Sequence, residues 1–470
     1  MASSDYIELP VALQQLISAE EANHFSIVPK STLENTYEFY IDDARIKEIR
    51  TIQQDLQLLY DTTISLEPID TIVLQKTLSI YYRTGNEHIE LPIANTNFLE
   101  SLIHEARKIN ASDIHIEVYS NDARVRMRID GHLIEKNKIE KEDYAELINQ
   151  IKIKSKLNIT EKRLPQDGRI EYEGFDIRVS ILPTHYGENV VMRILGKDAS
   201  NLNIKSLGLE DQDLSIYLEN IKKPNGIILI SGPTGSGKTT TLYATLKHVN
   251  VTEKKIVTVE DPIEYTLKGI NQVQLREDIG LDFTTALKSF LRQDPDIIML
   301  GEIRDAKTAQ MAIRASLTGH LVLSTIHTNS SIGTISRLED MGIPSFLIAE
   351  TLNLSVAQRL LRLLCKNCCV KEMTDPKDFP ASFRETTTEL PTHHYRAKGC
   401  SSCYFTGYVG RRAIYEVLNI GGEIAKQIKN GNIEKASQNI SLDRLSFKAF
   451  ELLKKGETSL DEIYPLLIQA

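Results

Sequence analysis

The sequence predicts an α/β chain built on a parallel sheet with helices on both faces. Three observations predict it. Between residues 223 and 364, the apolar runs GIILIS, IVTVED, DIIMLGE and LVLSTIH alternate with helical patterns, as in a parallel sheet covered on both sides. Ahead of this stretch, IHIEV, ARVRMRIDGHL, GRIEYEGFDIRVSILP and NVVMRIL alternate apolar and polar residues with period two, the pattern of half-buried strands. Finally, GIILIS runs into the glycine-rich GPTGSGKTT and then the helical TTTLYATLKHV.

Taken in order, residues 1–92 read as a small α/β module. YEFYID and TISLEPI have strand character, and IKEIRTIQQDLQLLYD and TIVLQKTLSIYYR have helical spacing. Residues 93–200 form a second module, opening with a helix over Thr96–Ile109, with Asp130-Gly131 and Glu173-Gly174 as turns between strands. Residues 201–222 read as a linker with a short helix, and 223–364 as the parallel-sheet core. A cysteine-bearing segment, 365–412, follows. Residues 413–470 end in helices over Leu442–Lys455 and after Ser459, where Glu462 three residues on gives a capping-box pattern.

The bulk numbers narrow the function classes. At 470 residues with 41% hydrophobic and 25% charged residues, the chain has the length and composition of about three soluble domains. The net charge of −9 disfavours nucleic acid as a partner. No run reaches the ~18 apolar residues of a membrane span, and MASSDYIELP has no basic region leading into an apolar core. The chain therefore reads as cytoplasmic.

GPTGSGKTT fits the phosphate-loop pattern, with Gly232, Pro233, Thr234, Gly235, Ser236, Gly237, Lys238, Thr239 and Thr240 forming the cradle. Glycines let backbone N–H groups curl around phosphate oxygens, and the helix N-terminus adds partial positive charge. Lys238 is placed for the β- and γ-phosphates of ATP and Thr239 for Mg²⁺. DPDIIMLGEIRD puts Glu302 just past a strand end, where ligands of such sheets lie. IVTVEDPIEY offers Glu260, Asp261 and Glu264 at another strand end, so either Glu264 or Glu260 is a candidate general base. His320 and His327 bracket the run LVLSTI and are candidates for sensing phosphate or transmitting its state to a neighbouring subunit.

All five cysteines fall in one segment. Cys365-x-x-Cys368 and Cys400-x-x-Cys403, 31 residues apart, can supply four thiolates to a structural Zn²⁺. Cys369 is an alternative ligand to Cys368.

Four blocks stand in order: GPTGSGKTTTLYA, VTVEDPIEY, RQDPDIIMLGEIRD and TGHLVLSTIHTNSS. Together they resemble the type II secretion and type IV pilus assembly ATPase family over roughly residues 95–470. The resemblance implies a RecA-like core preceded by a PAS-like domain at 93–200, a hexameric ring, and ATP hydrolysis that drives pseudopilus or pilus assembly. It implies inner-membrane platform and adaptor partners, which would hold the chain peripherally at that membrane. It makes Glu264 the catalytic glutamate, Glu302 the Walker B glutamate, and His320 and His327 the His-box pair. It also implies arginine fingers, for which Arg169, Arg178 and Arg193 are unranked candidates. Arg292 and Arg304 flank the Walker B strand and are candidates for a subunit interface. The tetracysteine segment is similar to that of secretion and pilus-extension members. Residues 1–92 only loosely resemble the family's adaptor domain, and no arginine precedes Arg45, which disfavours cyclic-dinucleotide binding there. The competing classes are a DNA-translocating or DNA-uptake ring motor, and an ATP-binding scaffold without turnover.

Overall fold

The structure, a computed structural model, describes residues 6–82 (apart from 8, 15, 34–35 and 61), 98–196 (apart from 121), 202–386, 390–431 and 444–468. The module boundaries expected near 92 and 200, together with Thr96 and Leu442, lie outside them.

The first module is a three-stranded sheet. Ile27–Leu33 pairs antiparallel with Thr36–Asp42, which pairs in parallel with Thr63–Ile69. The helix Ile49–Tyr60 makes the crossover between the parallel strands, burying Ile52 and Leu56, as a parallel pair requires.

The second module is a six-stranded antiparallel sheet. Across it the strands run His132–Glu140, Asp122–Ile129, Asp113–Val118, Glu188–Gly196, Phe175–Pro183, Gln166–Tyr172. The helices Phe98–Lys108 and Lys141–Lys154 pack on one face through Leu99, Leu102, Leu147 and Ile151, which meet Ile114, Val125, Ile177 and Met192 in one core. The helix over 141–154 has no counterpart in the sequence reading. Its run KEDYAELINQIKIK lies between strand patterns and ends in β-branched isoleucines, which weaken a helical signal.

The third module holds the main sheet of seven strands. Its order is Asn271–Gln274, Ile256–Glu260, Ile297–Leu300, Leu321–Ile326, Gly226–Ser231, Leu352–Leu364, Tyr408–Asn419. Six strands run parallel and the last joins antiparallel. The four expected strands form the middle of the sheet. The outer three went unread: Asn271–Gln274 is short and polar, and Leu352–Leu364 and Tyr408–Asn419 form a long hairpin whose halves are 43 residues apart in sequence. The pairing of Tyr408–Asn419 with the main sheet also means that residues 408–412, expected in the cysteine segment, run in this edge strand.

Residues 202–222 are a packed part of this module, contrary to the linker expectation. Ile204, Tyr217 and Ile221 are buried in the core beneath Ile228, Leu242 and Val356, and the Tyr217 hydroxyl meets Thr245 Oγ1 at 2.7 Å in full burial. Polar Asp211, Gln212 and Asp213 form the first turn of the helix Asp211–Asn220 and mask its apolar side in the sequence. The last helices, Leu445–Lys454 and Leu460–Leu467, close a smaller core with Phe379 and Phe383. At Ser459 only half the capping box forms. Ser459 Oγ accepts the Glu462 N–H at 3.3 Å, while the Glu462 carboxylate turns to Arg362.

Truncating Tyr217 removes a buried ring and a buried hydrogen bond. Tyr217→Ala is expected to destabilise the third module by about 3–5 kcal/mol, read as a lowered urea midpoint. A change within about 0.5 kcal/mol, the size of a surface substitution, would return the segment to linker status.

Candidate active site and metal centre

The phosphate loop leaves the wholly buried strand Gly226–Ser231 and ends where Gly237, with φ of 87°, begins the helix Lys238–Val249. Two of its glycines admit no substitute. A Cβ on Gly232 would meet the Gln358 carbonyl oxygen at 2.5 Å, and one on Gly237 would meet Gln358 Nε2 at 2.8 Å. The loop is thus pressed between its own turn and the strand Leu352–Leu364. Lys238 Nζ donates to the carbonyls of Gly232 and Pro233 at 2.8 and 3.0 Å, spanning the loop. Burial lowers the Lys238 pKa against the favourable influence of Glu302. Ser236 Oγ is buried without a hydrogen-bond partner among the described residues. A cradle that excludes side chains, a desolvated ammonium and an unpaired buried hydroxyl all fit a polyphosphate tail.

A cleft of 460 Å³ opens over this loop. Its lining brings together Thr234–Thr240 with Glu260, Asp261, Glu264, Glu302 and His327. Glu302 follows the buried strand Ile297–Leu300 and contacts both Arg304 and His327, whose Nε2 lies 3.3 Å from Glu302 Oε2. Gly301 and Ile303 are tied to Thr325 on the next strand, so the glutamate is held by a sheet end.

The two acids left open by the sequence separate here. Glu260 is buried and fully engaged: Thr258 Oγ1 and Gln272 Nε2 donate to its Oε1 at 2.6 and 3.1 Å, and the Tyr243 hydroxyl donates to its other oxygen. It braces the loop. Glu264 carries no such bonds among the described residues. Burial raises its pKa, and the nearby guanidiniums of Arg193 and Arg178 oppose that rise.

Those arginines come from the second module, whose register explains their meeting. Arg169 pairs across strands with Arg178, Arg178 with Arg193, and Arg193 with Asp113. Three guanidiniums therefore stand in a row on the face away from the helices. Like charges directly opposite are unfavourable. Carboxylates offset them: Arg169 contacts Asp176, and Arg193 Nε lies 2.8 Å from Asp113 Oδ1. Burial would raise the Asp113 carboxyl, but its bonds to Arg193 and Ser112 hold it below the ordinary range. Arg178 and Arg193 act electrostatically on Glu264 of the same chain, whereas Arg169 is turned to Asp176.

His320 is not at this site. It sits at the opposite end of Leu321–Ile326 from His327, where its Nδ1 meets Ala315 O at 2.9 Å and Thr318 Oγ1 at 3.2 Å. A six-residue strand separates the two histidines by roughly 20 Å at ~3.3 Å per residue. His320 closes the preceding helix, so the expectation that both lie near the phosphates is corrected. Arg292, exposed and 3.4 Å from Ser289 Oγ, and Asp296, which accepts the Lys255 N–H at 2.7 Å, also belong to the far end. Sequence reasoning missed Arg411, which lines the cleft, because it was read with the cysteine loop.

In the cysteine segment, the sulfurs of Cys365, Cys368, Cys400 and Cys403 all lie within 4.8 Å of one another. Cys369 is outside the group, so the geometry selects Cys368. The Sγ–Sγ separations are 3.8 Å for Cys365–Cys400, 3.8 Å for Cys368–Cys403 and 3.7 Å for Cys400–Cys403. A tetrahedron with metal–sulfur bonds of ~2.3 Å has edges of about 3.8 Å. The N–H groups of Cys400 and Gly407 donate to Cys403 Sγ at 3.1 and 3.3 Å, which supports a thiolate. The four cysteines can hold a metal ion with no position left open.

Comparison with known proteins adds the family context. Residues 91–465 match the family described as Type II/IV secretion system protein. The Type II secretion system protein E of Aeromonas hydrophila is 42% identical over 372 residues, spanning 78% of this chain and 74% of that one. The Type IV pilus assembly ATPase PilB of Myxococcus xanthus is 44% identical over 374 residues, spanning 77% and 66%. Among solved structures, the pilus retraction motor PilT with bound ADP aligns at TM-score 0.55 and 27% identity, over 79% of this chain and 97% of PilT. The Yersinia pseudotuberculosis ATPase DotB shares the fold at TM-score 0.61 and 20% identity, over 82% and 97%.

Metal content of purified protein tests the cluster. Cys368→Ser is expected to lose the bound metal and Cys369→Ser to keep it. Equal loss from both would mean the ligand set is wrong.

Proposed function

The chain belongs to the type II/IV secretion system protein family, and on that footing we propose that it hydrolyses ATP to power pseudopilus or pilus assembly. One observation carries the reading to this cleft: the phosphate loop, Glu302 and Glu264 share a single cavity, with an arginine row from a second module facing Glu264. Names among the relatives point both to secretion and to pilus assembly, and the cleft chemistry is common to both.

Each residue has a part in the proposed reaction. Lys238 and the loop N–H groups bind the β- and γ-phosphates. Thr239 and Glu302 would hold Mg²⁺, which supplies charge neutralisation at the phosphate oxygens. Glu264, free of the bonds that engage Glu260, accepts the proton of the attacking water. His327 touches Glu302 and reports the phosphate state to it. Arg193 and Arg178 offset charge that develops on the transferred group. The cysteine cluster would take Zn²⁺ as a structural ion. A homo-hexamer bound to inner-membrane platform and adaptor proteins completes the reading, with the chain held at the cytoplasmic side through them. No helix among the described residues is long and apolar enough to cross a membrane.

Mg²⁺-dependent hydrolysis measured with light-scattering mass tests this directly. Hydrolysis by a hexamer should fall by about 10²–10⁴-fold in Glu264→Gln and be lost in Glu302→Gln. A chain that binds ATP but never turns it over, even with its membrane partners, would establish a scaffold instead.

The pH profile gives a separate check. Glu264 must be ionised to accept a proton, and burial raises its pKa. Activity should therefore fall on acidification at a higher pH than an ordinary glutamate would dictate. Arg193→Ala removes a charge that favours the carboxylate, so it should move this acidic limb further up. A limb that stays in place would detach Arg193 from Glu264.

A further inference from the structure

Glu416 is a buried carboxylate in an apolar stretch. On the edge strand Tyr408–Asn419, its neighbours on the same face, Ile414 and Leu418, lie in apolar cores, and Glu416 itself is 4% exposed. Burying a carboxylate is costly unless it is fully bonded, so its partners identify what the charge is kept for. Three neutral donors meet it. The Ser331 N–H and hydroxyl donate to its Oε1 at 2.7 and 2.6 Å. The Leu445 N–H donates to its Oε2 at 3.3 Å, at the start of the helix Leu445–Lys454, which has no side-chain cap of its own.

Ser331 belongs to the turn that joins the strand Leu321–Ile326 to the helix Gly333–Asp340, and that turn begins with His327. Ser331 is fully buried, and Ser355 Oγ donates to its carbonyl at 2.8 Å. Arg359 Nη2 donates to the Asn329 carbonyl at 3.0 Å, and the Glu416 charge favours that guanidinium. Within the turn, Thr328 Oγ1 reaches the Ser330 carbonyl at 3.0 Å and Thr334 Oγ1 at 3.1 Å. Residues 327–334 are therefore tied into one piece that is clamped at Ser331 and Asn329. At its start the His327 side chain is 53% exposed and leans on Glu302.

We propose that Glu416 is a positioning residue for hydrolysis. By clamping Ser331, it fixes the turn that sets His327 against Glu302. Glu416 is not among the described residues lining the cleft, so its effect passes through the turn. The proposal rests on the ATPase reading and adds to it a residue from the edge strand that acts on the chemical step and leaves nucleotide binding alone. The phosphate loop and Lys238 make no bond to Glu416 among the described residues.

Steady-state hydrolysis by the full chain, measured alongside titration with fluorescent ADP, tests this. Glu416→Ala should lower kcat by about 10²-fold, the scale of a misplaced catalytic group, with ADP affinity unchanged. Glu416→Gln keeps an acceptor oxygen for Ser331 and should lose less. Ser331→Ala removes one hydrogen bond to a charged group and leaves the packing in place. It should cost about tenfold in kcat, and it decides the matter if Glu416→Ala does not fold. In a His327→Ala background, Ser331→Ala should cost nothing more, because both act through one group. A structural strut would lower the urea midpoint and leave kcat of the folded chain alone, or would add its cost to that of His327→Ala; either result overturns the proposal. So does a loss of ADP affinity with kcat unchanged. If the wild type hydrolyses ATP and the Glu416 and Ser331 variants match it, only this inference falls. If the wild type never turns ATP over, even with its membrane partners, the ATPase reading falls and takes the inference with it.

Discussion

The close approach of Gly232 to the Gln358 carbonyl is the constraint on which the rest of the third module depends. It exists because Leu352–Leu364 runs parallel to Gly226–Ser231, pairing Ser231 with Ala357 and so carrying Gln358 and Leu360 past the strand end, under the phosphate loop. Thr241 Oγ1 then meets Gln358 Oε1 at 2.9 Å, pinning the start of the helix to the same strand. The loop therefore takes its shape from a neighbouring backbone as well as from its own glycines. Because Leu352–Leu364 extends well beyond the sheet, its antiparallel partner must return alongside it, and that return places Arg411 beside the cleft. Cys365 follows the outgoing strand directly. Nucleotide cradle, cleft cation and metal centre are successive features of one hairpin.

Charge is arranged around that hairpin in two layers. The cleft itself is acidic, and its cations are few. The second module answers with the row Arg169, Arg178 and Arg193, which local rules of strand pairing disfavour. Such a row persists where something offsets it. Asp113 and Asp176 do so inside the module, and Glu264 does so across the boundary. The same arrangement explains why the Glu264 carboxylate has no hydrogen bond among the described residues while that of Glu260, four residues earlier, accepts three. Glu260 is spent on holding Tyr243 and Gln272 in place, and Glu264 is left facing positive charge.

The parts of this architecture with local signals were readable from sequence. GIILIS followed by GPTGSGKTT declares strand, loop and helix within a few residues, and the period-two runs of the second module appear as strands where they were expected. What escaped depends on distance. Leu352–Leu364 has no clean alternation because it is buried on both faces for half its length and only partly buried beyond. Its partner lies across the whole cysteine segment. The segment 202–222 looked like a linker because its buried residues, Ile204, Tyr217 and Ile221, are spread among polar ones. His320 was misplaced for another reason: motif order does not say which end of a strand faces the ligand. For a strand whose neighbour Gly226–Ser231 runs parallel to it, the C-terminal end must, and that end belongs to His327.

The contacts between the second and third modules differ in kind from those within them. Inside the modules the cores are apolar, one cluster in the second module and separate clusters in the third. Between them stand Asp130 with Gly410, Lys136 over the Tyr404 ring at 5.1 Å, and His132 against Arg362, which itself stacks on Tyr408 at 4.0 Å. Burial, then the Arg362 charge, lowers the His132 pKa, so that contact pairs a neutral imidazole with a cation. Exposed polar contacts of this type contribute ~0–1 kcal/mol each, far less than the core of either module. Tyr404 is the exception, packing on the second module's core from a loop in which it and Phe405 both hold left-handed φ values of 50° and 58°. Non-glycine residues keep that conformation only where the surroundings impose it, and here the Phe405 N–H is held by the Cys400 carbonyl at 2.8 Å. The second module is thus anchored at the cysteine loop and weakly held elsewhere. Its arginine row meets Glu264 across a boundary that the apolar cores of the two modules do not span.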